Sequence, residues 1–483
     1  MRTLVFGASG YIGAHLVPRL VGAGHEVRAT ARNGAVFEGR DWDGVELVSA
    51  DALEAQTLVE ALAGIDVAYY LVHSMAAGRD FARLDRVAAD NFREAAERSG
   101  VQRIIYLGGL QPSGARSEHL ASRHETGERL RAGTIPVTEL RAGIIVGPGS
   151  AAFEVIRDLV YHLPVMTTPR WVRSRTQPIA LDDLLRYLVG ALDAPATMGR
   201  IFDVGGPEVL SYEQMLRQFA AVVSRRVLIL PLPVLTPRLS SYWLDLVTAV
   251  PARVARPLVD GLTHDLLADD EEIRSLVPQQ LHTYREAAVA ALDIERSAAP
   301  LARWTEGALS FRRHRPDIAF YSKRIEAQAA VEAPAAALWR EVTSLGGDRG
   351  WLYANWLWHL RGLLDRLVGG VGMRRGRRDA QGLRVGDPVD FWRVVALTPG
   401  ERITIMAEMR LPGSAVLEFQ IQPEGPDHSR LVIIARYHPA GVLGLLYWYA
   451  LAPVHGPLFR GLTRALAAGA EASLDRPRND PAD

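Results

Sequence analysis

The sequence predicts a doubly wound α/β unit with a parallel sheet, followed by a smaller α+β unit. In the first half, short apolar runs alternate with amphipathic helical patterns, for example at 67–71, 81–95 and 104–107. This alternation is typical of parallel strands joined by right-handed helical crossovers. In the last third, alternating runs joined by Pro-Gly turns indicate antiparallel strands, and a long helix is expected near 457–474.

The 483 residues are too many for one compact core, so several segments are expected. We assign a nucleotide-binding unit to 1–297, a linker to 298–317, an α+β unit to 318–475 and a disordered tail to 476–483. Strands of the first unit are predicted at 4–6, 27–30, 45–48, 67–71, 104–107, 137–140 and 201–204. Strands of the second are predicted at 387–397, 401–409, 416–423 and 429–437.

Composition and charge narrow the range of partners. Lys+Arg and Asp+Glu both number 55, so the net charge makes no strong electrostatic case for nucleic acid or for an anionic membrane. The chain has no cysteine, which excludes disulfides, thiol catalysis and thiolate metal sites. No metal site is expected, because the histidines and carboxylates show no zinc-type spacing. The expected partner is a small hydrophobic ligand or substrate.

A glycine motif follows the first predicted strand directly. It reads Gly7-Ala-Ser-Gly10-Tyr-Ile-Gly13 and opens the first predicted helix. Glycines let the backbone turn tightly and approach a pyrophosphate, while the helix N-terminus supplies N–H donors and positive charge. The position between a strand and a helix favours a Rossmann-type dinucleotide site over a plain glycine turn.

The end of the second strand indicates which dinucleotide binds. NAD-binding proteins usually carry an Asp or Glu there, whereas this segment reads Arg28-Ala-Thr-Ala-Arg32. Arg32, assisted by Ser9, is placed to bind a 2′-phosphate, although a solvated surface arginine is the alternative. Asp51 either accepts from the adenine amino group or caps a helix. The sequence therefore favours NADP(H) over NAD(H).

The first 295 residues resemble the atypical short-chain dehydrogenase/reductase family. Beyond the glycines, the resemblance is carried by three segments that look like the fifth strand, the sixth strand with its turn, and the segment after it, at 100–110, 140–149 and 177–183. The region 210–292 is also similar to the nucleotide-binding accessory subunit of respiratory complex I. That relative holds NADPH without evident turnover.

The family's catalytic Tyr-x-x-x-Lys motif is missing, because Lys323 is the only lysine of the chain. The corresponding segment places His119 at the tyrosine position and Arg123 at the lysine position. Histidine can act as an acid near neutral pH, and arginine can hold the ribose. A redox step and a purely cofactor-holding role both remain open here.

Other positions around the expected nicotinamide also depart from the family. Gly108 and Gly109 stand where catalytic relatives tend to have hydroxyl residues, and His73 and Ser74 follow the fourth strand. We expect catalytic contributions from His119, Arg123 and His73, with Tyr106 as a further proton source. The expected cofactor contacts are Gly7, Ser9, Gly10, Tyr11, Ile12, Gly13, Arg32, Asp51, Ala52, Val72, His73, Gly108 and Arg123.

Residues 318–475 resemble the SRPBCC, or helix-grip, superfamily, through the segment 331–340, the alternating strands and the final helix. The resemblance implies an antiparallel sheet that wraps a long helix and encloses an apolar cavity. The aromatic residues of this unit either line such a pocket or fill a core: Trp351, Tyr353, Trp356, Trp358 and Trp392. The basic run Arg374-Arg-Gly-Arg-Arg378 is either a solvated loop or a site for an acidic headgroup or membrane surface.

Residues 437–459 contain no Asp, Glu, Lys or Arg. Pro439, Pro453 and Pro457 argue against a clean membrane-spanning helix. We interpret the segment as core, with contact at a membrane interface as the alternative. The expected location is the cytoplasm, with peripheral contact to the inner face of the membrane left open.

Two functional hypotheses follow. The first is an NADPH-dependent oxidoreductase that reduces an apolar or amphipathic carbonyl, enone or quinone-like compound. The second is a non-catalytic NADP(H)-binding protein with a structural or redox-sensing role, whose second unit binds a hydrophobic ligand or a partner. The missing Tyr-x-x-x-Lys motif favours the second hypothesis, and the two-unit layout favours the first.

Overall fold

The chain divides into two units, Met1–Pro316 and Asp317–Asp483. The computed structural model describes residues 1–32, 42–73, 80–112, 117–168, 170–231, 264–297, 322–369, 372–373, 383–384 and 387–474. The predicted linker, the predicted tail, Ser74 and the basic run from Arg374 to Arg378 therefore lie outside the described residues.

The first unit is built on a seven-stranded sheet whose order is β11-β6-β5-β4-β1-β2-β3. Every pairing in it is parallel. Its strands are β1 (Arg2–Phe6), β2 (Glu26–Ala31), β3 (Glu46–Ser49), β4 (Val67–Tyr70), β5 (Arg103–Gly109), β6 (Val137–Ala142) and β11 (Ile201–Val204). The prediction of a doubly wound parallel sheet is confirmed. The strand order reverses beside β1, which is where such folds form a crevice at the carboxyl ends of the strands.

Helices cover both faces of this sheet. The helices of the unit are α1 (Tyr11–Gly22), α2 (Ala55–Leu62), α3 (Phe81–Arg98), α4 (Glu118–Arg131), α5 (Ala151–His162), α6 (Leu181–Asp193), α7 (Tyr212–Val222), α8 (Glu271–Leu276) and α9 (Tyr284–Ser297). Of these, α5, α7 and α9 pack on one another and on short strands outside the sheet. In β1, Val5 packs with the face that holds α1 and α6, whereas Leu4 and Phe6 pack with α2 and α3. Both faces are apolar because the strands are buried on both sides.

Short strand pairs complete the unit outside the main sheet. They are β7 (Ile145–Val146) with β10 (Ile179–Ala180), β8 (Val165–Thr168) with β13 (Leu228–Pro231), and β9 (Arg175–Thr176) with β12 (Leu210–Ser211). Strand β7 follows soon after β6 and pairs with β10, and the turn after β7 places Gly147 at the edge of the sheet where the glycine motif lies.

The second unit is a six-stranded antiparallel sheet with helices. Its strand order is β14-β19-β18-β17-β16-β15. The strands are β14 (Lys323–Val331), β15 (Pro388–Val389), β16 (Trp392–Thr398), β17 (Arg402–Ala407), β18 (Gly413–Pro423) and β19 (Ser429–Pro439), and the helices are α10 (Ala335–Thr343), α11 (Asn355–Leu367) and α12 (Gly441–Ala472). The predicted strand 387–397 is divided in two by Asp390, whose φ is +55°.

The final helix begins at Gly441, sixteen residues before the predicted start, so that prediction was wrong. Pro453 and Pro457 lie inside the helix. Its C-terminal half is buried against the sheet, as are Gly444 and Trp448 in its first half. By length and composition, α12 is long and apolar enough to cross a membrane, and 28% of its most apolar window is buried.

The aromatic side chains of the second unit fill its core. Trp351, Trp358 and Trp392 are each less than a tenth exposed, and Trp351 stacks on Trp358 with ring centroids 4.5 Å apart. A cavity of about 10 Å³ beside Trp351 and Phe419 has room for roughly one water molecule. These three rings therefore belong to the apolar core of the unit. Tyr353 and Trp356 are exposed instead.

Candidate cofactor site

The glycine loop connects β1 to α1 in a conformation that needs its glycines. Gly7 has φ of +94°, which residues with a side chain rarely adopt. A Cβ on Gly13 would lie 2.4 Å from the Gly7 carbonyl oxygen, and a Cβ on Gly7 would lie 3.0 Å from Val72 Cγ2. Gly13 thus lets the first turn of α1 pack directly on the loop, and Gly7 lets the loop pack against the end of β4.

The N-terminus of α1 has the character of an anion site. The helix begins at Tyr11, Gly10 caps it without a side-chain hydrogen bond, and its first turn carries no acidic residue. The N–H groups of a first helical turn point outward with partial positive charge. A Cβ on Gly147 would lie 2.6 Å from the hydroxyl of Tyr11, so this tyrosine packs against the β7 turn.

Arg32 follows β2 at the same edge of the sheet. Its side chain is exposed, and among the described residues no hydrogen bond or ion pair engages it. Arg28, four residues earlier, is buried; its guanidinium donates to the carbonyls of Ala61 and Ala63 and pairs with Glu46. The two arginines therefore differ in their surroundings: Arg28 is held by the protein, and Arg32 is exposed just beyond the carboxyl end of β2.

Asp51 lies beyond the end of β3. Its Oδ1 accepts the Leu53 N–H at 2.9 Å, which forms a local turn. The N-cap of α2 is Glu54, so the expectation that Asp51 caps this helix is wrong. Ala52 is buried and its carbonyl accepts from Asn91 at 2.9 Å. The adenine role of Asp51 and Ala52 stays a prediction.

His73, Val72 and the glycine loop come together because β4 pairs with β1. His73 keeps an exposed surface, although neighbouring protein surrounds much of its ring. Burial, and then the charges of Arg123 and His119, hold the pKa of His73 below its usual range. The imidazole is therefore neutral at pH 7.

The start of α4 places His119 and Arg123 one turn apart. Ser117 caps this helix by accepting the Leu120 N–H. The Arg123 guanidinium donates to the Leu107 carbonyl of β5 and lies close enough to both histidines to affect their pKa values. Burial and this cation lower the pKa of His119 to about 4, so the ring is a neutral hydrogen-bonding group at pH 7 and not a charged acid.

Tyr106 does not belong to the site, which corrects its expected role as a proton source. Its ring is fully buried among Phe6, Tyr70 and Phe92. Its hydroxyl donates to the Arg123 carbonyl at 2.9 Å, and burial raises its pKa to about 12. The tyrosine braces α4 against β5.

Sequence reasoning missed Glu139, which explains the glycine at position 108. Glu139 is fully buried on β6 and pairs with Arg131 and Arg141. A Cβ on Gly108 would lie 2.8 Å from its Oε1, and one on Gly127 would lie 2.6 Å from its Oε2. The signal was a charged residue in the middle of an apolar strand. A hydroxyl side chain at position 108 would collide with this carboxylate.

One cluster of acidic and histidine side chains among the described residues has the spacing of metal ligands. It consists of Asp182, Asp183 and His282. Asp183 Oδ1 lies 2.7 Å from His282 Nδ1, while Arg19 and Arg186 pair with Asp182. The arrangement is an ion-pair network that joins α1, α6 and the segment before α9.

Two family models match the chain, one in each unit. Residues 7–140 match a family described as NAD(P)H-binding, which spans the glycine loop, Arg32, His73 and α4. Residues 319–462 match a family described as a protein of unknown function, DUF2867.

Curated relatives match the first unit in sequence. Sterol demethylase protein B of Methylococcus capsulatus is 31% identical over 25% of this chain and 39% of its own length. A (4-alkanoyl-5-oxo-2,5-dihydrofuran-3-yl)methyl phosphate reductase of Streptomyces griseus is 27% identical over 46% of this chain and 74% of its own. Subunit 9 of the NADH dehydrogenase 1 alpha subcomplex of Dictyostelium discoideum is 26% identical over 44% of this chain and 61% of its own length. The chain thus spans well under half of the first relative.

Solved structures share the fold. Triphenylmethane reductase of Citrobacter sp., complexed with NADP(H), is 17% identical with a TM-score of 0.51, covering 60% of this chain and all of that one. An NADPH-dependent quinone oxidoreductase of Escherichia coli is 17% identical with a TM-score of 0.50, covering 60% of this chain and 99% of that one. The first unit accordingly has a Rossmann-type fold and matches an NAD(P)H-binding family over residues 7–140, and reductases and a complex I subunit are among the proteins to which it is similar.

Proposed function

We propose that the protein is an NADPH-dependent reductase of an apolar or amphipathic carbonyl, enone or quinone-like compound. One observation carries this proposal: the glycine loop, Val72, His73, His119 and Arg123 meet at one edge of the parallel sheet. That edge is where doubly wound sheets bind dinucleotides, and the two imidazoles lie where a nicotinamide and its substrate would be held.

The choice of NADP(H) over NAD(H) rests on the end of β2. Arg32 is exposed and without a described partner, and the carboxyl end of β2 carries no carboxylate that would repel a 2′-phosphate or bind a ribose hydroxyl, because Glu26 lies at the opposite end of the strand. A guanidinium suits that phosphate because its N–H groups match the oxyanion geometry. The two structural neighbours are complexed with NADP(H) and NADPH, which is consistent with this choice.

NADPH held at the glycine loop would supply a hydride to the substrate carbon, and residues of this chain would stabilise the oxygen that becomes an alkoxide. His119 is neutral at pH 7, so its ring N–H would donate a hydrogen bond to that oxygen, and the proton that completes the alcohol would come from water. Arg123 lies beside both histidines, where its cation stabilises negative charge that develops on that oxygen. His73 completes the polar wall of the site.

The second unit is proposed to be a helix-grip relative. Support comes from an antiparallel sheet on which the long helix α12 packs directly, with α10 packed against both α12 and the sheet. A cytoplasmic location is part of the same proposal, in keeping with a chain of 483 residues that contains no cysteine.

Oxidation of NADPH by candidate substrates tests this proposal. Purified full-length protein with NADPH is supplied with a panel of quinones, enones and hydrophobic ketones, and the loss of absorbance of the reduced nicotinamide is followed. The proposal predicts oxidation by at least one class. His119→Ala should lower kcat by roughly 100-fold while NADPH still binds. His124→Ala is the matched control, because His124 lies on the same helix and pairs with Glu128 instead.

A non-catalytic role is the competing reading, and it is favoured by the depressed pKa of His119 together with the missing Tyr-x-x-x-Lys motif. Tight NADPH binding with no oxidation by any member of the panel would overturn the reductase proposal in its favour. Equal turnover by wild type and His119→Ala would remove His119 from the reaction.

A further inference from the structure

Two neighbouring helices of the second unit expose an apolar surface. On α11 the exposed side chains recur at positions i, i+4, i+7 and i+11, which places them on one stripe of the helix. On α12 they recur in the same way within the first half of the helix. We call this surface the α11–α12 face and define it by Trp356, Leu360, Leu363, Leu367, Leu443 and Leu446. Leu367 is 75% exposed and Leu443 is 72% exposed.

The two stripes belong to one surface because the helices lie side by side and antiparallel. Arg361 Nε on α11 donates to the Tyr447 hydroxyl on α12 at 3.3 Å. Near the other end, a Cβ on Gly461 would lie 2.2 Å from the ring of Tyr353. On each helix, the side opposite the exposed stripe packs into the unit, through Trp358 on α11 and Trp448 on α12.

The charge around this face is basic. Arg361 and Arg366 fall on opposite sides of the α11 stripe, and exposed Arg410 and Arg460 lie on neighbouring segments. Lys323 Nζ lies 5.6 Å from the ring centroid of Tyr449. The one acidic residue of α11, Asp365, is fully buried and accepts from the backbone N–H groups of Gly372 and Arg410. Residues 437–459 add no charge of either sign.

We propose that the α11–α12 face docks the protein onto the surface of an anionic phospholipid bilayer. Leucines with a tryptophan on one stripe, bordered by arginines, are the pattern of helices that lie in the membrane interface. The apolar stripe enters the boundary of the acyl chains, while the rim cations contact the lipid phosphates.

Docking on the surface fits the packing of α12 better than crossing the bilayer. Residues Leu458, Leu462 and Leu466 of its second half belong to the core of the unit. Gly444 packs so closely that a Cβ there would lie 2.3 Å from the Pro412 carbonyl oxygen. To span a bilayer, the helix would have to leave this sheet and expose that core to water. The inference goes beyond the proposed reductase and does not depend on it.

Vesicle flotation of the full-length protein tests the proposal. The protein is expected to float with vesicles of phosphatidylcholine and phosphatidylglycerol, to remain below with phosphatidylcholine alone, and to be released by salt. Leu367→Glu with Leu443→Glu should weaken binding roughly 100-fold, and Arg366→Gln with Arg460→Gln roughly 10-fold. Leu474→Glu is the matched control, because Leu474 is 51% exposed just beyond the C-terminal end of α12.

Thermal unfolding followed by circular dichroism is the control for whether each variant is folded. Wild-type protein that stays below with anionic vesicles would overturn the proposal. So would a dimer in light scattering that Leu367→Glu with Leu443→Glu dissociates, because the face would then bind a second copy. NADPH binding and oxidation are measured separately, so failure of docking and failure of the reductase proposal are distinguishable.

Discussion

At the residue scale, the surroundings of a side chain decide its chemistry. Arg28 lies in β2 and Arg32 directly follows it, yet the first is held by two carbonyls and a glutamate and the second is exposed. His119 and His124 share a helix, yet His119 lies close to Arg123, which together with burial lowers its pKa, whereas His124 pairs with Glu128. The residue type alone indicates neither difference.

Replacing Arg32 tests cofactor choice. Arg32→Ala should weaken NADPH binding roughly 10- to 100-fold and leave NADH binding nearly unchanged, because only NADPH carries the 2′-phosphate. Titration by nicotinamide fluorescence provides both affinities. Arg98→Ala is the control, since Arg98 is exposed at the last turn of α3, toward the amino edge of the sheet. An unchanged NADPH/NADH ratio in Arg32→Ala would contradict the assignment.

The lowered pKa of His119 makes stability depend on pH. Its folded pKa is about 4 and the unfolded value is 6.5, so the unfolded state binds more protons between these values. The free energy of unfolding should therefore fall as pH drops from 6.5 to 4, by at most about 3 kcal/mol from this residue, because the ring is partly exposed.

Urea unfolding at several pH values measures this effect. His119→Gln should show a smaller loss of stability between pH 6.5 and pH 4 than the wild type, and His124→Gln should keep the wild-type slope. Equal slopes for wild type and His119→Gln would show that the folded protein does not depress this pKa.

At the element scale, the site depends on how α1 meets the loop that precedes it. Gly13 lies in the first turn of the helix with no space for a Cβ, whereas a Cβ on Gly22, at the last turn, would meet nothing within 4 Å. The same helix therefore contains a glycine that close packing requires and one that it does not.

A pair of glycine substitutions separates these cases. Gly13→Ala should abolish cofactor binding and cost about 1–3 kcal/mol of stability, because α1 must move away from the loop. Gly22→Ala should bind normally and gain about 0.5–1 kcal/mol from helix propensity. Thermal unfolding and NADPH titration of both variants check this; retained binding in Gly13→Ala would contradict the assigned close approach.

Predictability also differs between elements. The strands and helices of the first unit follow from apolar alternation, and Ile201–Val204 was predicted with its observed bounds. The start of α12 was not predicted correctly, because Pro453 and Pro457 indicate a break in a helix. In the structure both prolines lie inside α12, and packing of the surrounding residues on the sheet overrides that local preference. Glu139 was missed because its partners come from α4 and from two residues along β6.

At the scale of the whole molecule, the two units have separate cores and different family matches. A ligand that binds one native unit stabilises that unit alone, unless the units unfold together. NADPH at about 100 times its Kd should therefore stabilise the first unit by about 2.7 kcal/mol and leave the transition of the second unchanged. Calorimetry with and without NADPH checks this, and an equal shift of both transitions would show coupled unfolding.

The central claim is that the first unit binds NADP(H) at its glycine loop. The most direct test is a titration of the full-length protein with NADPH and NADH, followed by nicotinamide fluorescence and repeated with Gly13→Ala. The account predicts saturable binding of one NADPH per chain, weaker binding of NADH, and loss of both in the variant. Absence of binding by the wild type, or equal binding by wild type and Gly13→Ala, would contradict it.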